Sequence, residues 1–314
     1  MKLNDLFIRF LKWRANNISD AFFVLILSVI IGFLSGLAAG LLKFTVISIR
    51  DKLFSYYYDS EQIILLFILP LIGIFLTVIF LKYIIRDNVG HGVPRILYVI
   101  SKLDGSMRRH KIFSSLVGGS LTAGFGGSVG LESPIISTGA SLGSTVGQWM
   151  KLGYKHKTLL IVCGAAGAMA SIVTTPIAAV LLGFEVLLLE PSTASLIPLL
   201  ISSVTGAVTT KLLTSEQYLV HFKVSEEFAI QDIPYFIALG VVAGFVAVYF
   251  HYMHFKIIKF FRRFKSIWIK ALVGGSALGV LVYLFPPLYS EGYDAIRIIV
   301  SGHAEELLDY TFLE

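Results

Sequence analysis

Glu132 is the residue best suited to do chemistry, because it is an isolated carboxylate in an apolar, glycine-rich stretch. It is the only charged residue between Lys111 and Lys151, and it lies in the run Gly126-Gly-Ser-Val-Gly-Leu-Glu-Ser-Pro134. A carboxylate at membrane depth is costly, because hydrocarbon cannot replace its hydration shell. A sequence that keeps such a residue usually uses it, so we interpret Glu132 as a movable negative charge.

The residues around Glu132 predict a broken helix. Glycines free the backbone before it, and Pro134 suits the first turn of a new helix. A second glycine-flanked break, Gly90-His-Gly-Val-Pro94, also precedes a predicted helix start. Two converging helix N-termini would direct unpaired N–H groups and partial positive charge at one place. Partial charges bind an anion without trapping it, so the two breaks predict an anion path.

The composition predicts an all-α, polytopic membrane protein. Of 314 residues, 56% are hydrophobic and 15% are charged, and the mean hydropathy is +0.80. A bilayer is crossed by roughly 20 apolar residues. The net charge of +6 comes from basic residues in predicted loops, which indicates membrane anchoring and not a nucleic-acid partner. The predicted apolar windows are 21–42, 63–81, 112–150, 158–184, 191–210, 233–250 and 271–290.

A weak internal repeat predicts the domain organisation. The segment Gly90-His-Gly-Val-Pro-Arg95 is echoed by Gly292-Tyr-Asp-Ala-Ile-Arg297, and the apolar helices before them are echoed at a similar separation. Such duplication is typical of transporters. We expect an amphipathic interfacial helix at 1–20, a first transmembrane repeat at 21–225, and an incomplete second repeat at 226–314 without a counterpart of the Glu132 segment.

Three motifs, in order along the chain, resemble those of the CLC family of chloride channels and chloride/proton exchangers. Gly90-His-Gly-Val-Pro94 is similar to the family's Gly-Ser-Gly-Ile-Pro, and Gly130-Leu-Glu-Ser-Pro134 to its Gly-Arg-Glu-Gly-Pro. The stretch from Cys163 to Glu185 resembles a glycine–alanine run followed by an Ala-Pro-Leu-Ala-Gly…Glu-Glu helix. The resemblance implies two inverted helical repeats with broken re-entrant helices, and a homodimer with one pore per subunit. It also implies a multi-pass protein of the bacterial cytoplasmic membrane that binds chloride or a similar anion.

The resemblance also implies roles for individual residues. Glu132 would be the gating glutamate, which occupies the anion path and swings out when protonated. His91 would stand where the family's serine coordinates the central anion. Backbone N–H groups would face the path at further positions, which are Gly92, Val93, Ser133 and Ile135.

One departure from the family pattern favours a passive channel over a chloride/proton exchanger. The internal proton-relay acid of the family's exchangers falls on Val186, which cannot carry a proton, while Glu185 matches the acid before it. Glu185 could replace the missing acid only if it faced the path. The sequence therefore predicts a channel gated by Glu132, with a chloride/proton antiporter as the alternative.

Two further alternatives come from other classes of protein. Gly126-Gly-Ser-Val-Gly130 fits the Gly-x-Ser-x-Gly pattern, which would make Ser128 the nucleophile of an intramembrane serine protease with His251 or His254 as base. That hypothesis gives Glu132 no role, so we predict that the protein is not an enzyme. If transport requires two complete repeats, this chain could also be a non-functional fragment of such a protein. No cofactor motif and no metal-ligand spacing are present in the sequence.

Overall fold

The structure, a computed structural model, describes residues 3–60, 64–87, 92–188, 190–214 and 229–302. These residues form twelve α-helices and no strand, so the prediction of an all-α protein is confirmed. A π-helical turn, Phe80–Ile85, extends α3, and short 3-10 turns precede α10 and follow α11. The helices are α1 (Leu3–Asn17), α2 (Asp20–Ser60), α3 (Ile64–Ile79), α4 (Gly92–Lys102), α5 (Lys111–Gly124), α6 (Glu132–Trp149), α7 (Tyr154–Val173), α8 (Pro176–Glu185), α9 (Thr193–Thr214), α10 (Ile233–Phe261), α11 (Ile267–Leu284) and α12 (Tyr293–Val300).

Six stretches of the described chain are long and apolar enough to cross a membrane, which supports a multi-pass membrane protein. The first is longer than the sequence predicted, because α2 continues as a helix far beyond Leu42. No glycine or proline interrupts residues 43–60, and Arg50 within them forms an ion pair with Asp294 of α12. The six spans are Asp20–Leu53, Ile64–Ile85, Tyr154–Val173, Thr193–Thr214, Ile230–Phe261 and Ile267–Leu284.

The helix breaks fall where glycine and proline predicted them. The long apolar window 112–150 contains two helices, with residues 125–131 between α5 and α6. The window 158–184 is likewise interrupted at Thr174, a non-glycine residue with φ 59°, before Pro176 begins α8. Proline suits that first helical position because it has no N–H to leave unpaired.

Small residues let the helices of the core approach closely. α7 lies at the centre and packs against α2, α6 and α9. A Cβ on Gly139 or Gly143 of α6 would overlap carbonyl oxygens of Gly164 and Leu160 on α7. The glycine ridge of α6 therefore serves packing within the chain, as membrane helices commonly use small residues.

A second packing contact is made between α3, early in the chain, and α11, near the end of the described residues. α11 packs on α3, where Gly275 and Gly279 lie against Leu71 and Phe67. α10 has no buried residue. The order long helix, medium helix, short helix occurs as α2–α3–α4 and again as α10–α11–α12, which is compatible with the predicted repeat. The repeat and its domain boundaries stay predictions, and the boundary at 225 lies outside the described residues.

Candidate functional site

Glu132 is the first residue of α6, directly after the glycine-rich break. At the end of α5, the N–H groups of Gly126 and Gly127 donate to Ala123 O (2.9 Å) and Thr122 O (2.8 Å). Gly126 has φ +86°, a conformation that glycine adopts without steric strain. The chain thus leaves α5 sharply and begins α6 with Glu132 in its first turn, where the helix dipole favours a negative charge.

The Glu132 carboxylate has two close neighbours. Its Oε1 accepts a hydrogen bond from the phenol of Tyr293, the first residue of α12. Its Oε2 lies against Gly130, where any Cβ would overlap it. Burial raises the pKa of the Tyr293 phenol, and the hydrogen bond to Glu132 raises it further. Tyr293 therefore stays protonated at physiological pH and acts as a donor.

The start of α4 lies beside the start of α6. A Cβ on the buried Gly92 would overlap Ser133 Oγ and would lie 3.6 Å from Ser133 Cα. Val93 is half-buried and packs on the main hydrophobic core. Among the predicted anion-path residues, the structure therefore brings Gly92 and Ser133 together. His91 lies outside the described residues.

Ile135 is the predicted path residue whose geometry fits least. Its side chain is fully buried in the core, and its N–H already donates to Leu131 O at 3.2 Å. Pro134 has no N–H to offer. The N–H groups of the first turn of α6 that helix geometry leaves without an intrahelical acceptor are those of Glu132 and Ser133.

A cavity of about 290 Å³ lies where α3, α4, α5 and α6 meet. The described residues that line it are glycines, serines, threonines and a few apolar residues, and none of them is charged. Ser114 Oγ is buried there and makes no hydrogen bond within the described part of the chain. The lining residues are Thr77, Leu81, Gly92, Ser114, Ser115, Gly118, Gly119, Thr122, Val129, Gly130, Ser133, Pro134 and Ser137.

A second, smaller cavity of about 40 Å³ lies on the Tyr293 side of Glu132. Arg50 of α2 forms ion pairs there with Asp294 (2.9 Å) and Glu291 (3.5 Å). The cavity also has Leu131 in its wall, next to Glu132 in the chain. Charged groups at this site are thus separated from the uncharged cavity by the start of α6.

Glu185 and Val186 end α8 and are both exposed. The described structure places no hydrogen bond or ion pair on the Glu185 carboxylate. The described structure therefore shows no contact that would bring Glu185 into the role that the resemblance assigns to the position of Val186.

The geometry gives no support to the serine-protease alternative. Ser128 is exposed, and among the described residues no hydrogen bond joins it to His251 or His254. Each histidine contacts a phenylalanine of its own helix, as in the edge contact of His251 with Phe255 at 4.6 Å between ring centroids. The described residues also contain no group of three His, Cys, Asp or Glu side chains that could hold a metal ion.

Sequence reasoning missed three residues at this site. Tyr293 was noticed only as part of the repeat echo, although its alignment with His91 is a signal that could have identified it. No local pattern distinguishes Arg50 from the other basic residues of the sequence, or Ser114 from the many other hydroxyl-bearing residues. Only the packing of α2, α5, α6 and α12 brings them to Glu132 or to the cavity beside it.

Comparisons with known proteins point to one family. The model of the family described as voltage gated chloride channel matches residues 72–313. An uncharacterised protein of Methanocaldococcus jannaschii is 25% identical over 288 residues, covering 91% of this chain and 66% of that protein. The voltage-gated ClC-type chloride channel ClcB of Citrobacter koseri is 32% identical over 182 residues, covering 56% of this chain and 43% of ClcB. The H⁺/Cl⁻ exchange transporter ClcA of Yersinia pestis is 23% identical over 223 residues, covering 68% and 46%.

Two solved structures share the fold. A slow cyanobacterial Cl⁻/H⁺ antiporter matches with a TM-score of 0.75 and 24% identity, covering 88% of this chain and 67% of that one. A CLC-type fluoride/proton antiporter matches with a TM-score of 0.74 and 26% identity, covering 88% and 69%. The chain spans 43% to 66% of the length of the three relatives compared.

Proposed function

Because the chain belongs to the voltage-gated chloride channel family, we propose that it carries small anions across a membrane in exchange for protons, with Glu132 as the gate. The observation that carries this proposal is the position of Glu132. It begins α6 between the uncharged cavity and the Arg50 ion pairs, and its carboxylate lies over Gly130, which lines the cavity. A carboxylate at that place can block an anion while it is charged and admit one when it is protonated.

The walls of the larger cavity suit weak anion binding. Hydroxyl groups and the first turns of α4 and α6 offer hydrogen-bond donors, and no Lys or Arg of the described residues lines the cavity. Partial charges of this kind favour an anion by less than a full positive charge would. An anion held in this way can be dehydrated on entry and still leave. In this proposal the anion path includes His91, Gly92, Val93 and Ser133. Ile135 belongs to α6 but offers the anion no free N–H, because its N–H already donates to Leu131 O.

Proton exchange is favoured over the passive channel that the sequence predicted. One relative is an exchange transporter, and a structural neighbour at 26% identity is a fluoride/proton antiporter. The second candidate function, a channel, is favoured by Val186 and by the channel name of the ClcB relative. Valine offers no protonatable atom, so exchange requires that Glu185 or water carry the proton at that position.

The assembly and the location are part of the same proposal. We expect a homodimer, as the family resemblance implies, in the cytoplasmic membrane of a bacterium. Bacterial relatives in Citrobacter and Yersinia support that location.

The test of the proposed function is a reversal potential measured in liposomes. The protein is reconstituted with equal chloride on both sides and a proton gradient across the membrane. Exchange predicts a reversal potential that moves with the proton gradient, whereas a passive channel predicts a value of zero. The matched variant Glu132→Gln should abolish the dependence on the proton gradient. Anion flux no greater than in protein-free liposomes would contradict the proposal.

A further inference from the structure

Tyr293 makes a contact that the proposed function does not use. Its phenol donates a hydrogen bond to Glu132 across 161 positions of sequence. Tyr293 is half-buried, so this hydrogen bond is partly shielded from water. A hydrogen bond to an ionised carboxylate is roughly twice as strong as one between neutral groups. The contact therefore distinguishes the charged from the protonated state of Glu132.

The segment that carries Tyr293 is fixed against the glycine-rich break. Val129 N–H donates to Ser290 O at 3.2 Å, next to the break. The ring of Tyr289 covers Gly126, where a Cβ would overlap it. These contacts place residues 289–293 along the same loop that delivers Glu132 to the start of α6.

Arg50 holds the first turn of α12 on both sides of Tyr293. Its guanidinium pairs with Glu291, two residues before Tyr293, and with Asp294, the residue after it. The Glu291 side chain is 8% exposed and that of Arg50 is 21% exposed, so these charges are partly desolvated. An arginine that pairs with two carboxylates fixes their relative position better than a lysine could.

The internal repeat gives Tyr293 a matching partner in the sequence. The echo aligns Gly292-Tyr293 with Gly90-His91, so Tyr293 occupies the repeat position of the residue that the resemblance assigns to the anion path. The described helices agree, because α12 begins at Tyr293 and α4 begins at Gly92. The structure places the Tyr293 phenol on Glu132, and the predicted repeat aligns Tyr293 with His91.

We propose that Tyr293 is a positioning residue that holds the ionised Glu132 carboxylate in the blocking position, and that Arg50 fixes Tyr293 for this role. The inference rests on the proposed function. It adds that the Glu132 carboxylate must break its hydrogen bond with the Tyr293 phenol when the gate opens. Protonation of Glu132 weakens the hydrogen bond, so the gate is released by the same event that neutralises it. The other titratable side chains around this contact are Lys43 and Arg50 on α2, and Glu291, Asp294 and Arg297 beside or on α12.

The test follows the protonation of Glu132 directly and separately from transport. Infrared difference spectra recorded against pH detect the C=O stretch of a protonated carboxyl group, and the band absent from Glu132→Gln belongs to Glu132. Tyr293→Phe keeps the ring and removes the donor. We expect it to move the pH midpoint of this band upward by about one pH unit, because the lost hydrogen bond favoured the ionised carboxylate. The pH midpoint of anion flux should move by a similar amount.

Two further variants control the experiment. Tyr154→Phe also removes a tyrosine hydroxyl that makes one hydrogen bond, to Ile100 O at 3.1 Å, and should leave the midpoint unchanged. Arg50→Lys keeps the positive charge but removes the guanidinium Nη1 that donates to both Glu291 and Asp294, so it should shift the midpoint in the same direction by less. Because Arg50→Lys leaves Tyr293 intact, it tests the proposal even if Tyr293→Phe folds poorly.

The outcomes separate this inference from the proposed function. An unmoved band in Tyr293→Phe, or an equal shift in Tyr154→Phe, would overturn the role of Tyr293 even if flux is gated by pH. A wild-type protein without anion flux would contradict the proposed function, and the band would still report whether Tyr293 holds Glu132.

Discussion

At the scale of single residues, the site contains one carboxylate, that of Glu132, and a small number of neutral hydrogen-bond donors. Glu132 Oε1 accepts a hydrogen bond from the Tyr293 phenol, and its chain neighbours Gly130 and Ser133 line the larger cavity. Among the described residues, no cationic side chain lines that cavity. A full charge next to the path would bind an anion too firmly for rapid release, whereas hydroxyl and N–H groups bind it reversibly. The chemistry proposed for this protein therefore depends on where a single proton resides.

Removing the charge of Glu132 should remove the response of transport to pH. Glu132→Gln resembles the protonated side chain in shape and charge, so we expect anion flux in liposomes that is constant across the pH range in which the wild type varies. Glu190→Gln, at an exposed acid after α8, is the matched control and should behave as the wild type. A pH response that survives in Glu132→Gln would reject the gating role.

His91 is predicted to influence which anion passes. A neutral imidazole donates one hydrogen bond, and a protonated one adds a full positive charge. His91→Ser should change the relative permeability to chloride, nitrate and fluoride, measured from bi-ionic reversal potentials. His156→Ser, in α7, serves as the control. The same permeability order in His91→Ser and wild type would show that His91 is outside the path.

Ser114 should contribute to anion binding from α5. Its hydroxyl is buried at the cavity and makes no hydrogen bond to the rest of the described chain, so an anion can accept one from it. A hydrogen bond to an ion contributes about 1.5–3 kcal/mol. Ser114→Ala should therefore raise the apparent Kd for chloride by roughly tenfold or more. Ser101→Ala, at an exposed serine, should leave the affinity unchanged, and an unchanged affinity in Ser114→Ala would remove Ser114 from the site.

At the scale of helices, the position of Glu132 depends on the close packing of α6 on α7. The glycine ridge of α6 meets backbone carbonyl oxygens of α7, and a backbone has little freedom to move away from an added side chain. The same helix that packs through Gly139 and Gly143 begins with Glu132. Stability and gate geometry are thus coupled through one element.

Filling this ridge should destabilise the protein. A methyl group at Gly143 would overlap Leu160 O, so Gly143→Ala should lower the free energy of unfolding by about 1–3 kcal/mol. The measurement is the apparent melting temperature in detergent. Gly240→Ala is the matched control, because Gly240 is also a helical glycine but has nothing within 4 Å of its added Cβ in the described structure. Equal melting temperatures for both variants would contradict the importance of the α6–α7 contact.

At the scale of the whole molecule, exchange requires a proton route that reaches Glu132 from both sides of the membrane. Glu132 begins α6 and Glu185 ends α8, so the two acids lie on different helices. The resemblance assigns the relay position of such a route to Val186, whose side chain is apolar. Whether the protein is an exchanger or a channel therefore depends on groups in several helices and not on one residue.

In the exchanger proposal, Glu185 is the side chain that could carry the proton at the α8 end of the route. Glu185→Gln should reduce proton flux by roughly tenfold or more, because a protonatable group is replaced by an amide. Anion flux should fall less. The check is the simultaneous recording of proton and chloride flux from the same liposomes. Proton flux unchanged in Glu185→Gln would mean that water, or another group, carries the proton past Val186.

The sequence by itself determined the class of fold, the helix breaks and the identity of the gate candidate. Apolar windows set the spans, because a bilayer excludes unpaired backbone groups. Glycine and proline set the breaks at 125–131 and before Pro176, because their effects on the backbone are local. The isolation of Glu132 was visible without a fold, since the sequence shows a single acid in a long apolar stretch and a charge in hydrocarbon is costly.

Only the tertiary structure decided which groups surround Glu132. The hydrogen bond from Tyr293 and the ion pairs of Arg50 join residues more than 150 positions apart, and no local pattern specifies such contacts. The structure also shows α2 continuing beyond Leu42, where Arg50 forms an ion pair with Asp294 of α12. Local backbone preferences act over a few residues, whereas the environment of a buried charge is built by elements that meet only when the helices pack.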